Sequence, residues 1–338
     1  MRISVVTTLY HSAPYLGDFC RRMAAALTRL TDDYEIVLVN DGSPDDALAI
    51  ALDLHQADDR VKVIDLSRNF GHHAAMVTGL RYAGGDLVFL IDCDLEEDPE
   101  LLHPFAEMMR TTGADVVFGV QDVRRGGPVK RLSGRLYYKV VNWLARDPLP
   151  ENVMTVRLMS RRYVDALLQH PEVELNIAGL WVRTGFAQVA VPVTRKTRSG
   201  TSYSLARKLA MLVNAITSMS AQPLVFIFYL GTLISALSVG AAVFVVIRRL
   251  FFGEMLAGWP SLIVSIWFIG GLMIFCQGVI GIYVAKVLME SKRRPLAIIR
   301  AIHDRRCAAG INGAAQIVGD SKDLAARAQS SESLHKGT

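Results

Sequence analysis

Residues 88–100 read VFLIDCDLEEDPE, and five carboxylates fall within seven positions directly after four apolar residues. Like charges at that density repel, so the run implies either a surface turn screened by water or a cation held among the carboxylates. A calcium loop of the helix–loop–helix kind is excluded, because Glu96 and Glu97 stand where that loop takes its third acidic ligand and its glycine. Asp92 and Asp94 lie one residue apart at the end of an apolar strand. They suit a hard divalent ion, magnesium or manganese, that leaves other coordination positions for diphosphate. Taken alone, Asp-x-Asp is more often an acidic turn.

Two further polar motifs follow apolar runs. In Asn40-Asp41-Gly42-Ser43, Asp41 can accept hydrogen bonds from a nucleobase or ribose. Ser43 and Pro44 equally suit the cap and first residue of a helix. In SRNFGHH (67–73), Arg68 offers a cation to phosphate, Gly71 admits close backbone approach, and a helix N-terminus favours anions. His72 and His73 read as surface residues rather than metal ligands. The four cysteines, Cys20, Cys93, Cys276 and Cys307, have neither metal-ligand nor disulfide spacing, which fits a reducing compartment.

The elements that position these motifs alternate. Strand-like runs at 3–10, 35–40, 61–66, 87–92 and 114–120 are separated by helical stretches at 13–30, 44–56, 71–82 and 99–111. That alternation predicts an α/β fold with a parallel sheet covered by helices on both faces. Ligands bind beyond the carboxyl ends of such strands, which is where all three motifs fall. Residues 124–222 are less regular.

The chain of 338 residues is 51% hydrophobic and 20% charged. The apolar excess is concentrated in two charge-free runs, 224–247 and 260–285, of 24 and 26 residues. Each can cross a hydrocarbon core of ~30 Å. The net charge of +5 could suggest nucleic acid, but the basic residues flank the runs: Arg195, Lys196, Arg198, Arg207 and Lys208 before the first, and Lys286, Lys292, Arg293, Arg294, Arg300, Arg305 and Arg306 after the second. The expectation is therefore a multi-pass protein of the cytoplasmic membrane with both termini in the cytoplasm and basic residues on anionic headgroups, not on nucleic acid. The segment 203–222 has helical periodicity and a basic face suited to the membrane surface.

As a set, NDGS, SRNFGH, IDCDLEEDPE, RLMSRRYVDAL, GTSYSLARKL and SKRRPLAIIR resemble the family 2 glycosyltransferases of the GT-A fold. They are most similar to the branch that transfers sugar to polyisoprenyl phosphate. The resemblance runs from residue 3 to about 300. It implies a GT-A catalytic domain at 1–202, a mostly parallel Rossmann-like sheet, a juxtamembrane helix at 203–222, two transmembrane helices within 223–286, and a basic segment with a disordered tail at 287–338. It also implies a UDP- or GDP-linked sugar donor, a polyprenyl phosphate acceptor and Mg²⁺ or Mn²⁺. Assembly into homo-oligomers is left open.

Residue by residue, the resemblance places Asp41, Thr8 and Tyr10 at the nucleotide, and Asp92, Asp94 and Glu96 at metal and diphosphate. Arg131 and Arg198 fall at the leaving diphosphate or lipid phosphate, and Arg157 in the acceptor region. Two departures stand out. The family's P-V-Y-N-E start reads TLYHS here, and Thr155 stands where the family carries an aspartate regarded as a base. Asp147 and Glu151 are near in sequence. A phosphate acceptor, with a second pKa near ~6, is a dianion that attacks without a base, whereas a hydroxyl acceptor wants one. Transfer to a lipid-linked saccharide and a non-catalytic nucleotide-sugar-binding scaffold are the alternative readings.

Overall fold

The computed structural model describes residues 1–121, 152–170, 177–194, 217, 222–252, 258–292 and 294–305. Arg131, Asp147, Glu151 and Arg198, and all but residues 217 and 222 of the expected juxtamembrane helix, lie outside the described residues, as does the tail.

The strands are β1 (Ile3–Leu9), β2 (Tyr34–Asn40), β3 (Val61–Leu66), β4 (Leu87–Leu90), β5 (Val116–Gln121), β6 (Val153–Ser160), β7 (Gln188–Val193) and β8 (Ile299–His303). They form one sheet in the order β7-β5-β6-β4-β1-β2-β3-β8. The helices are α1 (Ala13–Thr28), α2 (Ala47–Ala57), α3 (His72–Tyr82), α4 (Leu102–Thr112), α5 (Arg161–Leu167), α6 (Ile177–Arg183), α7 (Gln222–Phe252) and α8 (Trp259–Ser291).

Period-two alternation sorts each strand's side chains between two cores. Ile3, Val5, Ile36, Leu38 and Phe89 face α1, α2 and α4 through Leu16, Phe19, Met23, Ala51 and Phe105. Val6, Val37, Val39, Val88 and Leu90 face α3, α5 and α6 through Met76, Leu80, Tyr163 and Trp181. Helices thus cover both faces, as expected.

The sheet is mixed rather than mostly parallel. β4-β1-β2-β3 is parallel, but β6 enters antiparallel between β4 and β5, and β8 adds antiparallel to the outer edge of β3. β7 lies parallel to β5. The sequence reading contained none of β6, β7 or β8.

The two apolar runs lie inside α7 and α8, helices of 31 and 33 residues. Among the described residues one stretch, Phe268–Ser291, is long and apolar enough to cross a membrane, with 24 residues, a mean hydropathy of 2.0 and an unburied surface. Gln222–Ile234 is a shorter apolar stretch.

Candidate active site

The carboxyl ends of β1, β2, β3 and β4 meet at one sheet edge, and their loops are tied to each other. The β2 loop is anchored first. Asn40 donates from Nδ2 to Asp65 Oδ1 at 2.8 Å, and its Oδ1 accepts the Ser43 amide at 3.2 Å. Ser43 does not cap α2, whose N-cap is Asp46. Its hydroxyl instead accepts the His11 amide at 2.8 Å, tying the β2 loop to the end of β1.

Asp41 is 2% exposed. Its oxygens accept the Phe70 amide at 2.7 Å and the Gly71 amide at 3.0 Å. Burial holds the carboxyl above the usual aspartate range in spite of these bonds and the nearby His72 and Arg68. What its geometry achieves is to fix the loop between β3 and α3. Gly42 presses against the same loop with φ +61°, and a Cβ there would lie 2.5 Å from the Asn69 nitrogen. Only glycine allows the two backbones to approach so closely. Arg68 lies over the Phe70 ring at 4.2 Å and donates to the Asn69 carbonyl at 2.9 Å.

His72, the first residue of α3, bridges two strands. Its Nδ1 is 2.9 Å from Thr8 Oγ1 and its Nε2 is 3.4 Å from Asp92 Oδ1. One tautomer serves both contacts, with Nδ1 accepting from the hydroxyl and Nε2–H facing the carboxylate. α3 reaches this position because Gly79 seats it on the sheet, where a Cβ would fall 2.4 Å from Val6 Cγ1. Tyr10, half exposed, stands edge-on to His11 above β1.

Four of the five carboxylates in the acidic run take up separate environments. Asp92 faces His72. Asp94 Oδ1 accepts the Glu96 amide at 2.9 Å across Leu95, which holds φ +59°. Glu97 turns inward, 3% exposed, and accepts the Val156 amide on β6 at 3.4 Å. Asp98 pairs with Arg22 at 2.6 Å and caps a single 3-10 turn at Pro99–Leu101. Cys93 is buried against the Thr8 carbonyl, and burial pushes its thiol up to about 12, so it supplies no thiolate.

The expected three-carboxylate set is not assembled. Among the described residues no group of three or more His, Cys, Asp or Glu could hold a metal. Two oxygen-donor carboxylates remain at the strand end, and this donor set fits a magnesium-type ion that takes its other ligands from phosphate and water.

A cavity of about 380 Å³ opens beside the N-terminus of α3. It is lined by Phe70, Gly71, His72, His73, Ala74, Pro295 and Leu296. The segment between α8 and β8 therefore forms part of its wall.

Residues 4–168 match the model for Glycosyl transferase family 2. The chain is 33% identical over 303 residues to the bactoprenol glucosyl transferase of Shigella phage SfV, covering 89% of this chain and 98% of that one. It is 54% identical over 303 residues to a protein of Mycobacterium tuberculosis (strain CDC 1551 / Oshkosh) named among glycosyltransferases, covering 90% and 89%. The chain belongs to glycosyl transferase family 2. A looser likeness, at 18% identity and a TM-score of 0.43, covers 64% of this glycosyltransferase and 66% of S. aureus TarS 1-349 in complex with UDP-GlcNAc.

Of the glycosyltransferase residues expected at the site, the structure gathers Thr8, Asp41, Arg68, Asp92 and Asp94 at one edge. Arg157, expected in the acceptor region, is buried on β6. It is 1% exposed, its guanidinium lies over the Trp181 ring, and it donates to the Thr155 and Met154 carbonyls at 3.2 Å each. Burial lowers its pKa to about 9, against the opposing influence of Tyr163 and Glu97. An arginine so enclosed supports β6 through these contacts. Thr155 is half-buried on the same strand. The β4–β6 register ends at Leu90 opposite Arg157, and continuing it two residues sets Thr155 level with Asp92.

His72 is exposed, as the sequence suggested, but its contacts with Thr8 and Asp92 were not read from the sequence. The available signal was its place directly after Gly71, where a helix begins at the same sheet edge as the acidic pair.

Proposed function

We propose that this glycosyltransferase moves a single sugar from a nucleoside diphosphate sugar, UDP- or GDP-linked, to polyprenyl phosphate at the cytoplasmic face of a membrane. The observation that carries this reading is a junction. The chain leaves an apolar, unburied helix at Ser291 and at Ile299 joins, as its edge strand, the sheet that bears the acidic pair. The donor-site sheet and the apolar helix are thereby joined through a short segment of the same chain. The bactoprenol glucosyl transferase likeness, which extends over nearly the full length of both chains, supports a polyprenyl acceptor.

In this reading α7 and α8 both span the membrane and both termini are cytoplasmic, in keeping with Lys286 near the end of α8 and Lys292, Arg294, Arg300 and Arg305 after it. The Asp41-pinned loop and Tyr10 receive the nucleotide, Tyr10 through its exposed ring. Asp92 and Asp94 would hold Mg²⁺ or Mn²⁺, which when bound offsets charge on the departing diphosphate. His72 fixes Asp92, and Thr8 fixes His72. Arg131 and Arg198 remain the cations assigned to the two phosphates. The acceptor phosphate, already a dianion at neutral pH, attacks the anomeric carbon without a general base. Thr155 is compatible with that chemistry because no proton has to be removed, and a hydroxyl acceptor would be badly served by it.

The test is to incubate the full chain in nanodiscs with undecaprenyl phosphate, Mg²⁺ or Mn²⁺ and a mixture of UDP- and GDP-sugars, with mass spectrometry of the lipid. The expected result is a lipid carrying one sugar increment, lost with chelator. Turnover of a membrane extract but not of pure lipid phosphate would replace the acceptor with a lipid-linked saccharide. Nucleotide binding with no turnover on either would replace the enzyme reading with a scaffold.

A further inference from the structure

The family match ends at residue 168, yet the loops of the donor site are held by a residue more than a hundred positions later. Arg300 lies on β8, the strand that follows the apolar helices. Its Nη1 donates to Asp65 Oδ2 at 3.3 Å, and its Nη2 donates to the Ser67 carbonyl at 2.7 Å. Asp65 is 4% exposed and uses its other oxygen to accept from Asn40, whose own oxygen holds the Ser43 amide. Beside this chain of contacts the Ser67 amide donates to the Ile298 carbonyl at 2.9 Å. The β3–β8 ladder shifts register between Asp65 and Leu66, where the strand gives way to the SRNFG loop. Pro295 and Leu296, just before β8, wall the cavity at the start of α3.

We propose that Arg300 is a positioning residue for the donor loops. Through Asp65 and Asn40 it sets the 40–43 turn, and through the Ser67 carbonyl it sets the start of the 67–71 loop, so the nucleotide site is complete only with the strand that returns from the membrane. The physical reason is the state of Asp65. A carboxylate this buried needs donors on both oxygens. Asn40 supplies one, and Arg300 supplies the charge-assisted one. Without Arg300 the Asp65 carboxylate has reason to turn toward water, and Asn40 loses the acceptor that orients its amide.

The role in donor binding rests on the nucleotide-sugar reading above, so the test has an arm independent of it. The full chain in nanodiscs is compared with Arg300→Met, Arg300→Lys, Asp65→Asn and the Arg300→Met/Asp65→Asn pair. Hydrogen exchange is followed at the amides of 41–46 and 67–71, and KM is measured separately for nucleotide sugar and lipid phosphate. The expected result for Arg300→Met is loss of protection at both loops and a donor KM raised about tenfold, with lipid KM and kcat within about twofold. Arg300→Lys restores part of the effect. The double variant falls short of the sum of the two single effects, because both remove the shared Arg300–Asp65 contact. Unchanged exchange at 41–46 and 67–71 in a folded Arg300→Met protein overturns the proposal. So does an equal rise in both KM values or strict additivity of the pair. If the wild type binds neither UDP nor GDP, the donor reading fails while the exchange arm still decides whether Arg300 orders the loops.

Discussion

Arg157 offers the sharpest contrast between a role read from spacing and a role read from packing. Replacing it with methionine keeps an unbranched side chain of similar length but removes the guanidinium. Two hydrogen bonds to the Met154 and Thr155 carbonyls disappear, as does the cation over the Trp181 ring and the positive charge that offsets buried Glu97. Losing two buried hydrogen bonds from a charged donor costs roughly 1.5–3 kcal/mol each, and the lost cation–ring contact is of the order of 1–2 kcal/mol; since these contacts overlap in one guanidinium, the total is about 3–6 kcal/mol. For a folded unit of this size each kcal/mol lowers Tm by ~2–4 °C, so Arg157→Met should melt on the order of 10 °C below wild type. Differential scanning fluorimetry gives the melt, and turnover measured well below it separates folding from chemistry. The expected pattern is a large fall in Tm with kcat retained within a few-fold in the folded fraction. A variant that melts with the wild type but has lost turnover would refute the structural assignment and return Arg157 to the acceptor.

Three other outcomes follow from named contacts. Gly42→Ala combines the ~1–2 kcal/mol penalty of a left-handed residue with a Cβ that meets the Arg68–Asn69 backbone, so nucleotide affinity measured by calorimetry should fall at least tenfold while far-UV dichroism is unchanged. Asp94→Asn should abolish metal-dependent turnover, and His72→Ala should weaken Mn²⁺ binding seen by electron paramagnetic resonance by about tenfold, whereas His72→Gln keeps part of it. Acid stability should depend on Asp115, whose carboxyl Arg162 holds below the usual range, with burial opposing and Ser160 assisting. Because its folded pKa is depressed, the stabilisation is present above the unfolded value near ~4 and is lost as pH falls through the folded one. Tm measured from pH 7 to pH 3 should therefore drop less steeply in Asp115→Asn than in wild type.

The parallel half of the sheet was legible because its strands are buried on both faces. β1 and β2 have every residue buried, and their β-branched and aliphatic residues stand out between polar loops in spite of the buried Ser4, Thr7, Thr8, Glu35 and Asn40. The motif edge followed from that alternation. β6 was illegible because its sequence, VMTVRLMS, carries an arginine and two hydroxyl residues whose partners are distant: Trp181 for Arg157, and Asp115, which accepts from Ser160 at 2.9 Å. β8 was hidden for a related reason. Its exposed Arg300 and terminal His303 look like a basic membrane flank, and only the open edge of β3 makes them a strand. The acidic run showed that charge was concentrated but not how it would be dispersed. The inward turn of Glu97 depends on the Val156 amide, 59 residues away.

The pairing of β3 with β8 also has a cost in time. Asp65 and Arg300 are 235 residues apart, and a ribosome adding ~5–20 residues per second needs roughly 10–50 s to make the second after the first. Throughout that interval β3 is an open sheet edge, the kind of surface on which nascent chains aggregate. Its partner strand is synthesised only after both apolar helices. In the membrane-anchored reading proposed above, a chain whose helices fail to insert keeps that edge open, and the cost of misplacing two helices falls on a strand far earlier in the sequence.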